Sequence, residues 1–244
     1  MEFWENNTAY LQLGTFDVFQ LSFEWSRFLK NAFNEIKKRK VKNLVIDIRW
    51  NEGGQDEVLL FIGQNIVKQP IKIPTRQDLV RYNKISAELK PYLSTWDNTF
   101  FDLSPKTKPF NKDYYQFTGE NITEIQPVKN AFEGNIYLLV NGSNSSATFY
   151  FAEIAKENKL ATLIGEPTGG SQKGLNAGTM FFLRLPNSKI EIDIPIIGTF
   201  SDDKAAGGIV PDILVKPTVE DLIKGEDRVL KTTQEIIEKN NNRC

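Results

Sequence analysis

The 244-residue sequence contains no histidine. A serine hydroxyl becomes an effective nucleophile only when a neighbouring base takes its proton, and in most serine hydrolases that base is an imidazole. A nucleophilic serine in this chain must therefore rely on a lysine held in its neutral form, or on a rarer group. Cysteine is almost absent as well: Cys244, the last residue, is the single example. An internal disulfide is excluded, and a thiolate zinc site is disfavoured. Any metal would need carboxylates alone, and no acidic run has the spacing of a metal loop, so no cofactor is expected. Net charge is −1, from 30 Lys and Arg against 31 Asp and Glu, which offers no electrostatic footprint for nucleic acid or an anionic membrane. No apolar run approaches the ~20 residues of a membrane span. The start, Met1-Glu2-Phe3-Trp4-Glu5, lacks the basic and apolar regions of a secretion signal, which fits a cytoplasmic protein or an excised fragment.

What is present is an ordinary globular composition, 40% hydrophobic and 25% charged, in a chain long enough for one large domain or two small ones. Ala9 to Phe16 alternates as a strand does. Residues 20–39 place Leu21, Trp25, Phe28, Leu29, Ala32, Phe33 and Ile36 at helical spacings, and the run Lys37 to Lys40 complements the helix dipole at its end. Asn43 to Arg49 reads as a buried strand, broken by Asn51-Glu52-Gly53-Gly54 and followed by a helix from Asp56 to Val67. A strand, glycine turn and helix in succession predict parallel sheet with crossover helices. Asn135 to Val140 is a second buried strand, followed by a turn and a helix from Ser146 to Asn158; Ala161 to Ile164 is a third. Thr179 to Leu185 and Lys189 to Ile194 flank Pro186-Asn187-Ser188 as a hairpin, with the second arm alternating strictly. Residues 208–213 close the sheet region, and Thr218-Val219-Glu220-Asp221 resembles a capping box opening a helix over 218–239. Residues 68–132 carry prolines and scattered aromatics with no sustained period. They read as an insertion, with one helix near 75–90.

Three segments could carry chemistry. Ser146 falls where a buried strand meets a helix, near unpaired N–H groups and the positive end of a helix dipole; Ala147 would supply an amide to an oxyanion there. The alternative is a helix N-cap, for which Asn144, Ser145 and Ser146 are all suited. Gly53 and Gly54 could turn backbone amides toward a ligand as a second oxyanion donor, or simply form a tight turn. The glycine-rich loop from Gly165 to Gly178 holds one lysine, Lys173, which could serve as a base if desolvated, or lie solvated. Nucleotide-phosphate loops are disfavoured, because neither glycine fingerprint occurs.

Taken in order, these segments resemble the C-terminal processing peptidases, or tail-specific proteases. Leu44-Val45-Ile46-Asp47-Ile48-Arg49-Trp50-Asn51-Glu52-Gly53-Gly54 is similar to the family's Leu-Val-Ile-Asp-Leu-Arg-x-Asn-x-Gly-Gly. Asn141 through Phe149 matches its nucleophile segment, with Ser146 on the nucleophile and Ala147 on the oxyanion donor. Ile164-Gly165-Glu166-Pro167-Thr168 and residues 207–212 match two later motifs. The resemblance covers most of residues 8–240 outside 68–132. It implies an α/β fold, the crotonase-like αβ sandwich of that peptidase core, with a mixed sheet and flanking helices across residues 1–244. A peptide-binding PDZ domain, frequent in the family, has no counterpart in this chain.

The base departs from the family pattern. The ungapped position of the family's lysine is Ser171, and Lys173 aligns only with a two-residue insertion. The residue that would orient it falls on Ala177, with Asn176 or Gln172 as substitutes. Glu157 lies near a carboxylate implicated in some members and is expected on a solvated face. The resemblance thus implies a serine endopeptidase acting on polypeptide, with Ser146 and Lys173 as nucleophile and base, and Gly53, Gly54 and Ala147 around the oxyanion. It also implies an extracytoplasmic location. A peptide-binding homologue that has lost its base, and a crotonase-like acyl-group enzyme, are the competing expectations.

Overall fold

In the computed structural model, residues 1–19, 22–73, 77–119, 124–201 and 204–242 are described. Leu21 of the expected first helix, and Cys244, lie outside them. In chain order the described residues form β1 (Glu2–Trp4), β2 (Thr8–Gln12), α1 (Trp25–Lys38), β3 (Asn43–Asp47), α2 (Asp56–Ile66), β4 (Ile71–Lys72), β5 (Gln77–Val80), β6 (Leu93–Ser94), β7 (Thr107–Pro109), β8 (Tyr115–Phe117) and β9 (Glu124–Ile125). There follow β10 (Asn135–Val140), α3 (Ser146–Glu157), β11 (Thr162–Gly165), β12 (Gly174–Arg184), β13 (Glu191–Phe200), β14 (Ile213–Leu214), α4 (Val219–Lys224) and α5 (Arg228–Asn241). They fall into two compact units: residues 1–74, 123–170 and 207–244 form the first, and residues 75–122 with 171–206 the second. The 68–132 stretch read as one insertion is thus shared between the two.

The first unit is built on a sheet of order β1-β2-β3-β10-β11-β14, in which only β1 runs antiparallel to its neighbour. Its central strands are apolar without interruption because both faces are covered. Tyr10, Val45, Tyr137, Leu139 and Ile164 share one face with Val229 and Ile237 of α5. The alternate residues Leu44, Ile46 and Leu138 turn to the opposite face and are equally buried. The helix α1 buries the stripe Leu29, Ala32, Phe33 and Ile36 and leaves Lys38, Arg39 and Lys40 exposed, so the basic run is a solvated helix end. The expected C-terminal helix is divided: Thr218 and Asp221 do form a capping box, but Gly225, at φ +65°, ends α4 in a left-handed cap before α5 begins.

The second unit holds an antiparallel sheet of order β6-β12-β13-β5-β8-β7, around Val80, Leu103, Phe181 and Ile196. The expected hairpin is its longest pair, β12 and β13. The helix expected near 75–90 is instead the strand β5, because Leu79 and Val80 bury in this sheet, and one 3-10 turn at Lys90–Tyr92. The alternation of the second hairpin arm does not mark a buried face: Ile190, Ile192 and Ile194 are 60%, 42% and 39% exposed, since they lie at the hairpin's outer end.

Candidate active site

The parallel strands β3, β10 and β11 are neighbours, so the loops leaving their carboxyl ends, 48–55, 141–145 and 166–170, emerge on one side of the sheet. Open parallel sheets bind ligands at that edge. The Thr168 N–H donates to the Ile209 carbonyl at 3.1 Å, and the Ile209 N–H to Thr168 Oγ1 at 2.8 Å, which brings residues 207–212 to the same edge. All four segments that carry the family resemblance therefore meet in the first unit.

The loop after β3 starts from a fixed point. The Arg49 guanidinium donates to Asp47 through Nε (3.0 Å) and Nη2 (2.7 Å), and to Asp227, the N-cap of α5, through Nη1 (2.8 Å) and Nη2 (2.7 Å). Tyr10 Oη donates to the same Asp47 at 2.7 Å. Burial alone would disfavour the Arg49 charge, but the two carboxylates outweigh it and raise the guanidinium above its ordinary value. Burial also opposes ionisation of Asp227, yet the Arg49 hydrogen bond prevails and holds its carboxyl below the usual range. Burial, then the hydrogen bond to Asp47, push the Tyr10 phenol up.

Beyond Arg49, buried polar side chains knit two loops together. Asn51 Oδ1 accepts from the N–H groups of Phe16 (3.2 Å) and Gly53 (3.0 Å), while its Nδ2 donates to the Leu13 carbonyl (2.9 Å). Asn144 Oδ1 accepts from the Asn141 N–H (2.8 Å), and its Nδ2 reaches the carbonyls of Ile48 (2.6 Å) and Asn51 (3.1 Å). Asn141 Oδ1 accepts from the N–H groups of Trp50 (3.2 Å) and Ser143 (3.1 Å). The Thr148 hydroxyl lies 2.8 Å from the carbonyls of both Asn51 and Ser145, and the Ser145 hydroxyl donates to the Glu52 carbonyl at 2.7 Å. Asn51, Asn144 and Thr148 are fully buried. Such groups are costly to bury unless satisfied, so their bonds fix the loops in one arrangement. The sequence motifs assign no role to the side chains of Asn51, Asn141 and Thr148, and only a helix N-cap to Asn144 and Ser145; the one local signal is Asn141, an amide residue directly after an apolar strand.

Ser146 opens α3 with φ at +48°, a conformation that costs an L-residue energy and that collects at functional sites. Ser145 occupies the N-cap with no side-chain cap bond, and Ser146 lies inside the helix, so neither hydroxyl caps α3. Gly53, at φ +113°, packs directly on Ser146: a β-carbon there would stand 2.7 Å from Ser146 Cβ and 3.1 Å from the Ala147 nitrogen. Phe16 forms a parallel bridge to Gly54, with its N–H on the Gly53 carbonyl (3.0 Å) and its carbonyl accepting from Gln55 (2.9 Å). In a parallel bridge these bonds come from the residues either side, so Gly54's own N–H and carbonyl turn away from Phe16.

Lys173, Gln172 and Asn176 belong to the second unit, at the entry to β12. The Lys173 N–H donates to Ser171 Oγ (3.2 Å) and its carbonyl accepts from Ser201 (2.8 Å); its side chain is exposed. Asn176 is exposed opposite Gly198, and Gln172 is half-buried. Glu157 is exposed on α3 as expected, whereas Glu153, one turn earlier, is 1% exposed.

The family model of Peptidase family S41 matches residues 7–215. The chain belongs to that family. Its fold is an α/β core with mixed sheet and flanking helices, similar to S41 peptidase cores. A crystal structure from Parabacteroides merdae ATCC 43184 superposes with a TM-score of 0.58 at 22% identity, covering 95% of this chain and 61% of that one. Mature CPAF gives 0.57 at 14% identity, covering 96% and 50%. The photosystem II D1 C-terminal processing protease gives 0.51 at 20% identity, covering 87% and 43%. The chain thus spans from two fifths to three fifths of the length of these structures. At such identities the likeness concerns the fold. No protein of curated function matches this S41 chain in sequence.

Proposed function

We propose that this S41 chain is a serine endopeptidase of the tail-specific type, with Ser146 as nucleophile. The observation that carries the reading is the strained Ser146 at the start of α3, with Gly53 packed against it. Ser146 Oγ attacks a substrate peptide carbonyl, and the developing oxyanion takes hydrogen bonds from the amides of Ala147 and Gly54. Gly54 rather than Gly53 has that part, because the Gly53 N–H already donates to Asn51. The resemblance supplies Lys173 as the base. It takes the serine proton, gives it to the departing amine as the C–N bond breaks, and then activates the water that hydrolyses the acyl-enzyme. Gln172 or Asn176 would orient its amine. The substrate is polypeptide, and a location outside the cytoplasm is part of the same reading.

A fluorophosphonate probe tests the nucleophile. It should label the wild-type protein at Ser146 and leave Ser146→Ala unlabelled; equal labelling of both, or of neither, removes the reading. The exposure of the Lys173 side chain favours one second reading, since a lysine base requires desolvation. That reading is a peptide-binding homologue, which binds unfolded polypeptide without turnover whether or not Ser146 is replaced.

A further inference from the structure

Four tryptophans occur in the chain, and three have an aromatic partner: Trp4 stacks on Tyr10 (5.5 Å between ring centroids), Trp25 meets Phe61 (6.0 Å) and Trp96 meets Phe182 (5.2 Å). Trp50 does not. Its side chain is 74% exposed, and among the described residues no aromatic ring packs on its indole. Its backbone is held at φ +68°, left-handed and unfavourable for a bulky L-residue. An asparagine or glycine would occupy such a position with less strain. The fold keeps the strain by tying the Trp50 N–H to buried Asn141 and by anchoring Arg49 and Asn51 on either side. An apolar side chain placed in water on a strained but rigid backbone stabilises nothing visible in the fold, and such outliers concentrate at functional sites.

Its location gives it a use. Trp50 stands three residues before Gly53, which touches Ser146, and Asn141 joins the Trp50 amide to the loop that carries Ser146. Resting on the peptidase reading above, we infer that Trp50 is a specificity-determining residue that grips an apolar or aromatic side chain of the polypeptide substrate close to the scissile bond. Rigid aromatics exposed on fixed loops are efficient anchors, because little side-chain freedom remains to be lost on binding.

The test separates binding from catalysis. Labelled peptides that carry Phe, Leu, Gly or Asp at each position around a common cleavage-length core are titrated by fluorescence anisotropy into Ser146→Ala protein, which cannot turn them over. The same titrations are repeated with Ser146→Ala/Trp50→Ala and Ser146→Ala/Trp50→Phe, each checked for an unchanged melting transition. The expected result is tighter binding of Phe and Leu peptides at one position. That preference falls about tenfold in the Trp50→Ala protein and is largely kept in Trp50→Phe, while Gly and Asp peptides are unaffected. A preference that survives Trp50→Ala, or the absence of any peptide binding, overturns the inference. A preference that depends on Trp50, found in a wild-type protein whose Ser146 takes no probe, keeps the inference and removes the catalytic reading.

Discussion

Gly53 and Ser146 are in contact across two loops that lie more than ninety residues apart, at a distance that leaves no room for a β-carbon on Gly53. The first prediction follows from that contact. Gly53→Ala should both strain the backbone at φ +113° and push against Ser146 and the Ser145 carbonyl, which would lie 2.9 Å from the new carbon. The combined cost is about 2–4 kcal/mol, measured by urea denaturation, together with loss of fluorophosphonate labelling. Gly14→Ala is the control. Nothing lies within 4 Å of its added carbon, and its stability should stay within about 1 kcal/mol of wild type.

The Arg49 clamp gives a second prediction. Arg49→Ala would leave Asp47, 1% exposed, without its cation. Removing one partner of a buried pair typically costs about 3–5 kcal/mol. Arg49→Lys should restore only part of this, since an ammonium cannot bridge two carboxylates in the same fork. The clamp also has a pH signature. The Asp227 carboxyl sits below its ordinary value in the folded state, so its contribution is present above the unfolded carboxylate value of about 3.9 and is lost as pH falls through the folded one. Acid unfolding of Asp227→Asn should therefore show a shallower loss of stability below about pH 4 than wild type.

The elements around Ser146 were legible in the sequence because both periodicity and turn chemistry pointed the same way. The apolar run 135–140 is β10 to the residue, and the break at Asn141 and the start at Ser146 fall where expected. The residues that hold the site were not legible. Asn51, Asn141, Asn144 and Thr148 act through hydrogen bonds to backbone carbonyls and amides more than ninety residues away in three of four cases, and local spacing carries no trace of such partners. The second unit was hidden for a related reason. Its sheet joins strands from residues 77–117 to a hairpin at 174–200, so the short strands β5 to β8 have no periodicity of their own and acquire their order from a partner far along the chain.

Strain at Ser146 yields a third prediction. Ser146→Ala keeps a side chain in the left-handed conformation, whereas Ser146→Gly relieves it. The glycine variant should be more stable than the alanine variant by about 1 kcal/mol, despite the entropy glycine loses on folding. Both should lack probe labelling. Paired thermal melts of the two proteins measure the difference, and a less stable glycine variant would mean that the conformation of Ser146 carries no strain.

The base can be decided by replacing Lys173. The sequence match reaches it only through a two-residue insertion, and its side chain is exposed. If Lys173 takes the Ser146 proton, Lys173→Met should lower turnover of an unfolded protein substrate by about 10²–10⁴-fold, the usual range for general-base catalysis. Affinity for the same substrate, measured in the Ser146→Ala background, should change little, because a proton acceptor acts on the reaction and not on the grip. Substitution of Gln172 or Asn176 by alanine should lower turnover by a smaller factor than Lys173→Met if either side chain orients the amine. Equal turnover in wild type and Lys173→Met would assign the base to another group, and with no imidazole in the chain that group would have to be a different lysine, a carboxylate or bound water.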